Sequence, residues 1–494
     1  MDAPTLPSPL PPSGIGNLPD TLDPRDWGAT SALAHRIVDD AVRHLREVRE
    51  RPVWQPMPEP VQALFREPLP DGPMPVEDVY GLVRDNVLAY PMGNIHPRFW
   101  SWFMGAGNFT GALGDFLAAV QGSNLGGGSH AAVLMDQQVV GWLREMVGLP
   151  ASASGTLVSG GSMANLIGLT VARNAMAGID LRELGVAALE RPMRFYASDQ
   201  VHSCHRKAVE ALGLGNRALC RVRSGPDCRI DIEALRAAIA LDRADGFQPT
   251  CIIGTAGTVN SGAVDDLVAL AEIAAAEGMW FHVDGCIGAL IAIAPENAWR
   301  VKGIERADSV ALDPHKWLHA PFALGCALVR DREKHRGTFA VSPEYLQGTA
   351  RGIAAGDWLY EYGLQTTRSF GALKLWMALK EHGVTTFGRL IDRNIAQATY
   401  LASLMKAEPA LELVMEPEVN IVCFRVAPKG YDEDRNKRIN LEIMLRLQET
   451  GVAALSDTTI RGKHCLRVAI CNHRTRLDDL DLLMSEVLKA LPAN

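Results

Sequence analysis

An α/β fold with a mostly parallel central sheet is the architecture this sequence predicts, and three observations carry it. Short apolar runs without polar alternation recur at 156–158, 194–198, 218–223, 250–255, 279–283, 308–312 and 324–329. Runs of that kind fit strands buried on both faces. Helical patterns at 231–240 and 265–277 separate some of them, as a sheet covered by helices requires. The flanks have a different texture, which predicts a helical N-terminal unit before the sheet and a small α+β C-terminal domain after it.

Taken in order, residues 1–26 hold seven prolines and predict an extended arm. Apolar residues Ala34, Ile37, Val38, Ala41, Val42, Leu45 and Val48 follow at helical spacing, ended by Arg51-Pro52. Shorter helical patterns at 59–66 and 76–89 are separated by Pro68, Pro70, Pro73 and Pro75, and the unit 27–95 is too small to close a core alone. A helix at 131–147 stops at Gly148 with Pro150 beyond. The strand at 156–158, the turn Ser159-Gly-Gly-Ser162 and a helix to about 176 open the large domain, 96–380. From 381 to 494 come a helix (387–405), a strand (419–426), a helix (439–450), a strand (465–471) and a last helix from 477.

Composition bounds the function. The 494 residues are 47% apolar and 21% charged, with a net charge of -8. These are globular values, and a mildly acidic chain lacks the electrostatic footprint of a nucleic-acid or anionic-membrane binder. The nine cysteines are odd in number, show no zinc spacing and sit largely in apolar runs, which predicts buried thiols in a reducing compartment. The start, MDAPTLPSPLPP, has an acidic second residue and no apolar core, so no signal peptide is expected there. The uncharged stretches 116–135 and 149–172 are broken by Gly, Ser and Asn, so no membrane helix is expected and the protein is expected to be cytoplasmic.

Four segments carry candidate chemistry. Ser159-Gly160-Gly161-Ser162 follows a strand and opens a helix. Its glycines admit a phosphate to the positive helix end, with Ser162 suited to the cap, or they simply make a tight turn. Asp284 ends the strand Phe281-His-Val-Asp284, at the edge where open α/β sheets bind ligands. It can hold a cationic ring nitrogen, or cap the next turn. Lys316 follows the strand 308–312 through Asp313-Pro-His315, and its apolar neighbours Trp317 and Leu318 predict a lowered pKa suited to a Schiff base; a solvated surface lysine is the alternative. His202 follows another strand and can stack on a flat ring or hydrogen-bond within its loop. Together, in the chain order glycine turn, His202, Asp284 and Lys316, these supply a phosphate seat, a ring stack, a pyridinium partner and an aldehyde anchor, the contacts that pyridoxal 5'-phosphate needs.

The segments Ser198-Asp-Gln-Val-His202-Ser, Thr255-Ala-Gly-Thr258 with Gly262-Ala-Val-Asp265, His282-Val-Asp284 and Asp308 to Trp317 resemble the group II pyridoxal-phosphate-dependent amino-acid decarboxylases, including aromatic-L-amino-acid decarboxylases. The resemblance runs from about residue 27 to 490 and includes Arg51-Pro-Val-Trp54, His96-Pro-Arg-Phe99 and Arg467-Val-Ala-Ile470. It implies the type I (aspartate-aminotransferase-like) fold and a homodimer with interface active sites. It implies that an L-amino acid, aromatic by preference, loses CO2 to give the amine through a Lys316 Schiff base and a quinonoid intermediate. Asp284 would pair with the ring nitrogen, and His202 would stack on the ring and help position the substrate. Gly161, Ser162 and His315 would seat the phosphate, and Thr258 would line the cofactor site. The stretch 331–356 corresponds to the family's mobile catalytic loop, with Tyr345 as the proton donor to the α-carbon.

Departures from the family stand beside these matches. Asp313 replaces the Asn of the best-known animal members and would repel a phosphate nearby, while Gly285 and Cys286 replace small Ala residues. Residues 96–135 are expected to line the substrate mouth, but Leu125-Gly-Gly-Gly-Ser-His130 differs from the animal enzymes. Phe99, Trp100, Trp102 and Phe103 are either substrate-facing aromatics or core. The competing activities are transamination and aldehyde-forming oxidative decarboxylation; the Tyr at 345 argues against the latter, which in the family goes with its loss. A non-catalytic regulator of the same fold is the remaining alternative, and the chain offers no added DNA-binding unit.

Overall fold

The computed structural model describes residues 21–341 and 348–491. Seven strands form the central sheet: β1 (Ser154–Val158), β2 (Met193–Ser198), β3 (Leu219–Val222), β4 (Gln248–Thr255), β5 (Trp280–Asp284), β6 (Ser309–Leu312) and β7 (Gly325–Val329). Their order is β1-β7-β6-β5-β4-β2-β3. The pairs from β6 through β3 are parallel, and β7 runs antiparallel to both β6 and β1. Six strands therefore point the same way, and their carboxyl ends share one edge. β5 and β6 are buried along their whole length, which explains why neither alternates between apolar and polar residues. This is the α/β, mostly parallel arrangement expected from the sequence.

Helices close both faces. Gly161–Met176 buries Ala164, Ile167, Leu169, Val171 and Ala172. Leu267–Glu277 is capped by Asp266, whose side chain accepts from Ala269 N, and ends at Gly278 with φ of 65°. Asp231 caps Ile232–Ala244 in the same way.

A second sheet holds β8 (Leu411–Met415), β9 (Ile421–Val426), β10 (Ser456–Ile460) and β11 (Lys463–Ala469), in the antiparallel order β10-β11-β9-β8. Only β9 and β11 are anticipated from sequence. β8 and β10 are edge strands with mostly half-buried or exposed residues, so no apolar run marks them. Trp100 is fully buried in the core of this sheet, among Phe424, Leu466, Leu480 and Leu483. Its N–H donates to Ala454 O at 2.8 Å, and its carbonyl accepts from Ala469 N at 3.0 Å. The segment around residue 100 is thereby pinned to the second sheet.

The N-terminal helices form as the periodicity predicts, at Trp27–Arg46, Glu59–Leu64 and Val76–Asn86. The first buries only Leu33, and the last buries nothing. Trp27, Ile37, Val38, Val42, Val76, Val79, Leu82 and Val83 are exposed. One expectation needs correction: 331–356 is not loop throughout. Arg332–Phe339 is a helix, because the Asp331 side chain accepts from Glu333 N and Lys334 N and the helix buries its own His335 and Thr338. Tyr345 lies outside the described residues. Among the described residues no helix is long and apolar enough to cross a membrane. All nine cysteines are free, and seven are buried.

Candidate active site

The carboxyl edge of the sheet opens into a cavity of about 530 Å³. Gly161, Ser162, His202, Asp284, His315 and Lys316 all line it, so residues far apart in sequence meet at one place. The topology explains the convergence. β1 delivers the glycine turn, β2 delivers His202, β5 ends on Asp284, and β6 leads into Asp313-Pro-His-Lys316.

The glycine turn is tightly held. Gly160, with extended backbone (φ 162°), is the residue before the helix, which begins at Gly161; Ser162 is therefore a first-turn residue and not the cap expected from sequence. A side chain at Gly161 would run into Cys286 Sγ and would stand 2.7 Å from Asp313 Oδ2. One at Gly325 would stand 2.6 Å from the Gly160 backbone. Glycine is required at both because the segments that follow β5 and β6, and β7 itself, press on the turn. The first-turn amides of a helix lack intrahelical acceptors, so this end of Gly161–Met176 is suited to an anion.

Asp284 is buried, and its Oδ2 lies 2.8 Å from His205 Nε2. Its Oδ1 accepts from Cys286 N at 3.2 Å. Burial alone would raise its pKa, but the His205 bond and charge and the Cys286 contacts outweigh it and hold the carboxyl well below the ordinary range. The site therefore presents an ionised carboxylate to whatever fills it.

Lys316 Nζ stands 3.0 Å from Asp313 Oδ2 and 5.6 Å from the centre of the Phe103 ring. Burial pulls its pKa down, yet the Asp313 carboxylate wins and the net shift is upward. The lowered value expected from apolar Trp317 and Leu318 is thus corrected: those side chains are fully buried, and the acid three residues earlier decides the charge state. Asp313 Oδ1 is buried without a hydrogen-bond partner among the described residues, with His315 Nδ1 3.8 Å away. His315 Nδ1 lies 2.7 Å from Leu324 O, and burial pushes its imidazole down. His202 Nδ1 accepts from Cys204 N at 3.2 Å, and burial pushes it down as well.

Thr258 is the described candidate not brought into the cavity. It is fully buried, its hydroxyl lies 2.8 Å from Ser261 Oγ and accepts from Ala263 N, and Thr255, Gly257 and Val259 supply the wall instead. The aromatic segment divides. Phe99 and Trp100 are core, whereas Trp102 and Phe103 line the cavity with Met104. Trp102 has φ of 53°, a strained value for a bulky residue, and remains 54% exposed.

Sequence reasoning missed His205 and Asn165. Asn165 Oδ1 accepts from His282 Nε2 at 2.8 Å, and its amide reaches the Cys204 and Cys286 sulfurs at 3.6 and 3.5 Å. Neither residue belongs to a motif; helical spacing from the glycine turn and from His202 is the signal that points to them. Cys204, His205 and Asp284 also bring potential metal-ligand atoms within 4.8 Å of one another. The short His205–Asp284 bond and a Cys204 thiol kept protonated by burial make this a hydrogen-bonded cluster first.

Comparison with known proteins agrees with this geometry. The model of the pyridoxal-dependent decarboxylase conserved domain matches residues 58–427. An aromatic-L-amino-acid decarboxylase of Bacillus atrophaeus is 32% identical, over 93% of this chain and 94% of that protein. A phenylacetaldehyde synthase of Arabidopsis thaliana is 30% identical, over 91% of this chain and 93% of that protein. The crystal structure of Oryza sativa TDC with PLP and tryptamine is 27% identical, with a TM-score of 0.87 over 96% of this chain and all (100%) of that one. The fold is the type I fold of pyridoxal-phosphate enzymes.

Proposed function

The chain belongs to the pyridoxal-dependent decarboxylase family and is a pyridoxal-phosphate-dependent carboxy-lyase, and from that premise we propose that it converts an aromatic L-amino acid to its amine and CO2. The observation that carries this reading is the wall opposite Lys316. Trp102, Phe103 and Met104 offer apolar surface, and among the described residues the basic side chains of the lining are Lys316, His202 and His315. Among the described residues, Trp102, Phe103 and Met104 offer no cationic partner to a substrate with an acidic side chain.

The residues present fit the cofactor. The cradle at Gly161, which a Cβ would fill, suits the phosphate, with Ser162 and His315 beside it. The ionised, buried Asp284 suits a protonated ring nitrogen, and His202 suits the ring face. Pyridoxal phosphate, when bound, supplies a carbonyl for amines and a cationic ring that accepts the electron pair left by departing CO2. Lys316 is the amine proposed to hold it and to yield to the substrate amine. Asp284 keeps the ring-nitrogen proton in place. The aromatic wall orients the substrate, and its apolar surface favours loss of a carboxylate's charge beside it. Tyr345 is the proposed proton donor to the α-carbon, on the family resemblance alone, with His202 assisting.

The aldehyde-forming reaction is the second reading, since one relative is a phenylacetaldehyde synthase. The presence of a Tyr at 345 favours the amine. A homodimer is also proposed, because the exposed apolar faces of Trp27–Arg46 and Val76–Asn86 form a surface that an isolated chain would not leave in water. A cytoplasmic location is in keeping with nine free cysteines.

The test is a screen of amino acids for CO2 release with identification of the product. Amine from an aromatic substrate, lost in Lys316→Ala together with the visible absorbance of the bound cofactor, supports the reading. Turnover in Lys316→Ala, or exclusive use of an acidic amino acid, overturns it. Tyr345→Phe is expected to shift the product from amine towards aldehyde.

A further inference from the structure

His205 does not line the cavity, yet it is the residue that most constrains Asp284. It is fully buried near the start of the helix Cys204–Ala211, and its Nε2 lies 2.8 Å from Asp284 Oδ2. His202 and Cys204 of the same turn reach the cavity, so His205 points behind the acid rather than towards a ligand. Its other ring nitrogen, Nδ1, is buried without a partner among the described residues. Burying an unpartnered ring nitrogen is costly, and a space-filling leucine would avoid that cost. The polar interaction that offsets it is the bond to Asp284.

The neighbours leave the ring little freedom. His282 lies edge-on to it, with ring centres 6.2 Å apart. His282 is itself fixed, by Asn165 Oδ1 at Nε2 and by Ser309 Oγ at Nδ1, each at 2.8 Å. Ser309 Oγ in turn accepts from Trp280 Nε1 at 2.8 Å. Burial keeps His282 neutral, with a pKa of about 3, so it adds no competing charge.

We propose that His205 is a positioning residue: its Nε2–H holds the Asp284 carboxylate ionised and in one orientation, so that the remaining lone pairs face the ring nitrogen of the cofactor. Together with the Cys286 N–H on Oδ1, it fixes the plane of the acid from behind. This rests on the assignment of Asp284 proposed above.

The experiment uses the full-length protein and pyridoxal 5'-phosphate, with two readouts: the cofactor dissociation constant after reconstitution, and the position of the visible band of the bound cofactor. The band reports the electronic state of the ring, which a purely structural defect does not move. His205→Leu is expected to weaken cofactor binding about 10–100-fold, the usual cost of losing an orienting partner, and to shift the band. His205→Gln, whose amide nitrogen sits as many bonds from Cβ as Nε2, is expected to return both towards the parent. A folded His205→Leu with unchanged affinity and band overturns the proposal. If the leucine variant does not fold, His205→Asn replaces it, since its amide is one bond too short; equal behaviour of Asn and Gln then overturns the proposal. Asp284→Asn separates the two levels. Parent-like affinity in that variant overturns the assignment of Asp284, whereas a defect there without one in His205→Leu overturns only the role of His205.

Discussion

Lys316 Nζ and Asp313 Oδ2 form an ion pair at 3.0 Å inside the cavity, one turn apart on the same short segment. The pair keeps the lysine protonated, and it places a carboxylate beside the glycine turn proposed to seat the phosphate. Both effects act against loading of the cofactor, because only the neutral amine attacks a carbonyl.

Asp313→Asn therefore has a definite sign. Without the carboxylate, the Lys316 pKa falls and the fraction of neutral amine at a given pH rises. The expected result is faster reconstitution of the cofactor-free protein, with the rate-versus-pH curve displaced to lower pH. For stability the direction is opposite. The raised lysine contributes fully below its ordinary 10.5 and loses its contribution only as pH rises through the folded value. The variant is thus expected to melt lower at neutral pH when free of cofactor. A rate profile identical to the parent's, measured by absorbance on mixing, contradicts the role given to Asp313.

Gly161→Ala tests the cradle. The added methyl meets Cys286 Sγ and Asp313 Oδ2, in a site closed from behind by β6 and β7. Overpacking of this kind costs about 1–3 kcal/mol. The single variant should lose stability and cofactor affinity, and Gly161→Ala with Cys286→Ala should recover part of both. Additive effects of the two changes, read from thermal melts, would mean that the residues do not touch.

The sequence made the central sheet legible because β2, β4, β5, β6 and β7 are buried on both faces, and burial leaves an apolar run. It made Gly161, His202, Asp284 and Lys316 legible because each ends or follows a strand. It could not show that Asp313 turns back onto Lys316, since that contact depends on the turn Pro314–Trp317. Nor could it show that Thr258 spends its hydroxyl on its own loop. β8 and β10 stayed hidden for the reason edge strands usually do: most of their residues are half-buried or exposed, and the pattern that remains is no different from that of a loop.

Asp284→Asn has a pH signature in the cofactor-free protein. Replacing a buried, charge-assisted acceptor costs about 1.5–3 kcal/mol. Because the folded carboxyl titrates below its ordinary 3.8, its contribution is complete above that value and is lost only as pH falls through the folded one. The difference in melting temperature between parent and variant should be constant over about pH 5–8 and shrink only in strong acid. A difference that vanishes already near neutrality would mean that the acid is not held ionised.

Two tryptophans two residues apart should respond in opposite ways. Trp100 is fully buried in the second core, with Nε1 3.4 Å from Thr475 Oγ1, so Trp100→Ala should cost about 3–5 kcal/mol in folding. Its effect on the substrate should be indirect. Trp102 is 54% exposed, lines the cavity and holds φ of 53°, a conformation glycine adopts freely. Its backbone bonds, from its N–H to Ser456 Oγ at 3.3 Å and from Arg467 to its carbonyl, do not need the side chain. Trp102→Gly should therefore melt close to the parent while raising KM for an aromatic substrate about tenfold, the order of one lost aromatic contact. The KM change separates the substrate-facing residue from the structural one. A Trp102→Gly enzyme with parent-like KM for every aromatic amino acid would remove this wall from the substrate site, and with it the main reason for preferring an aromatic substrate.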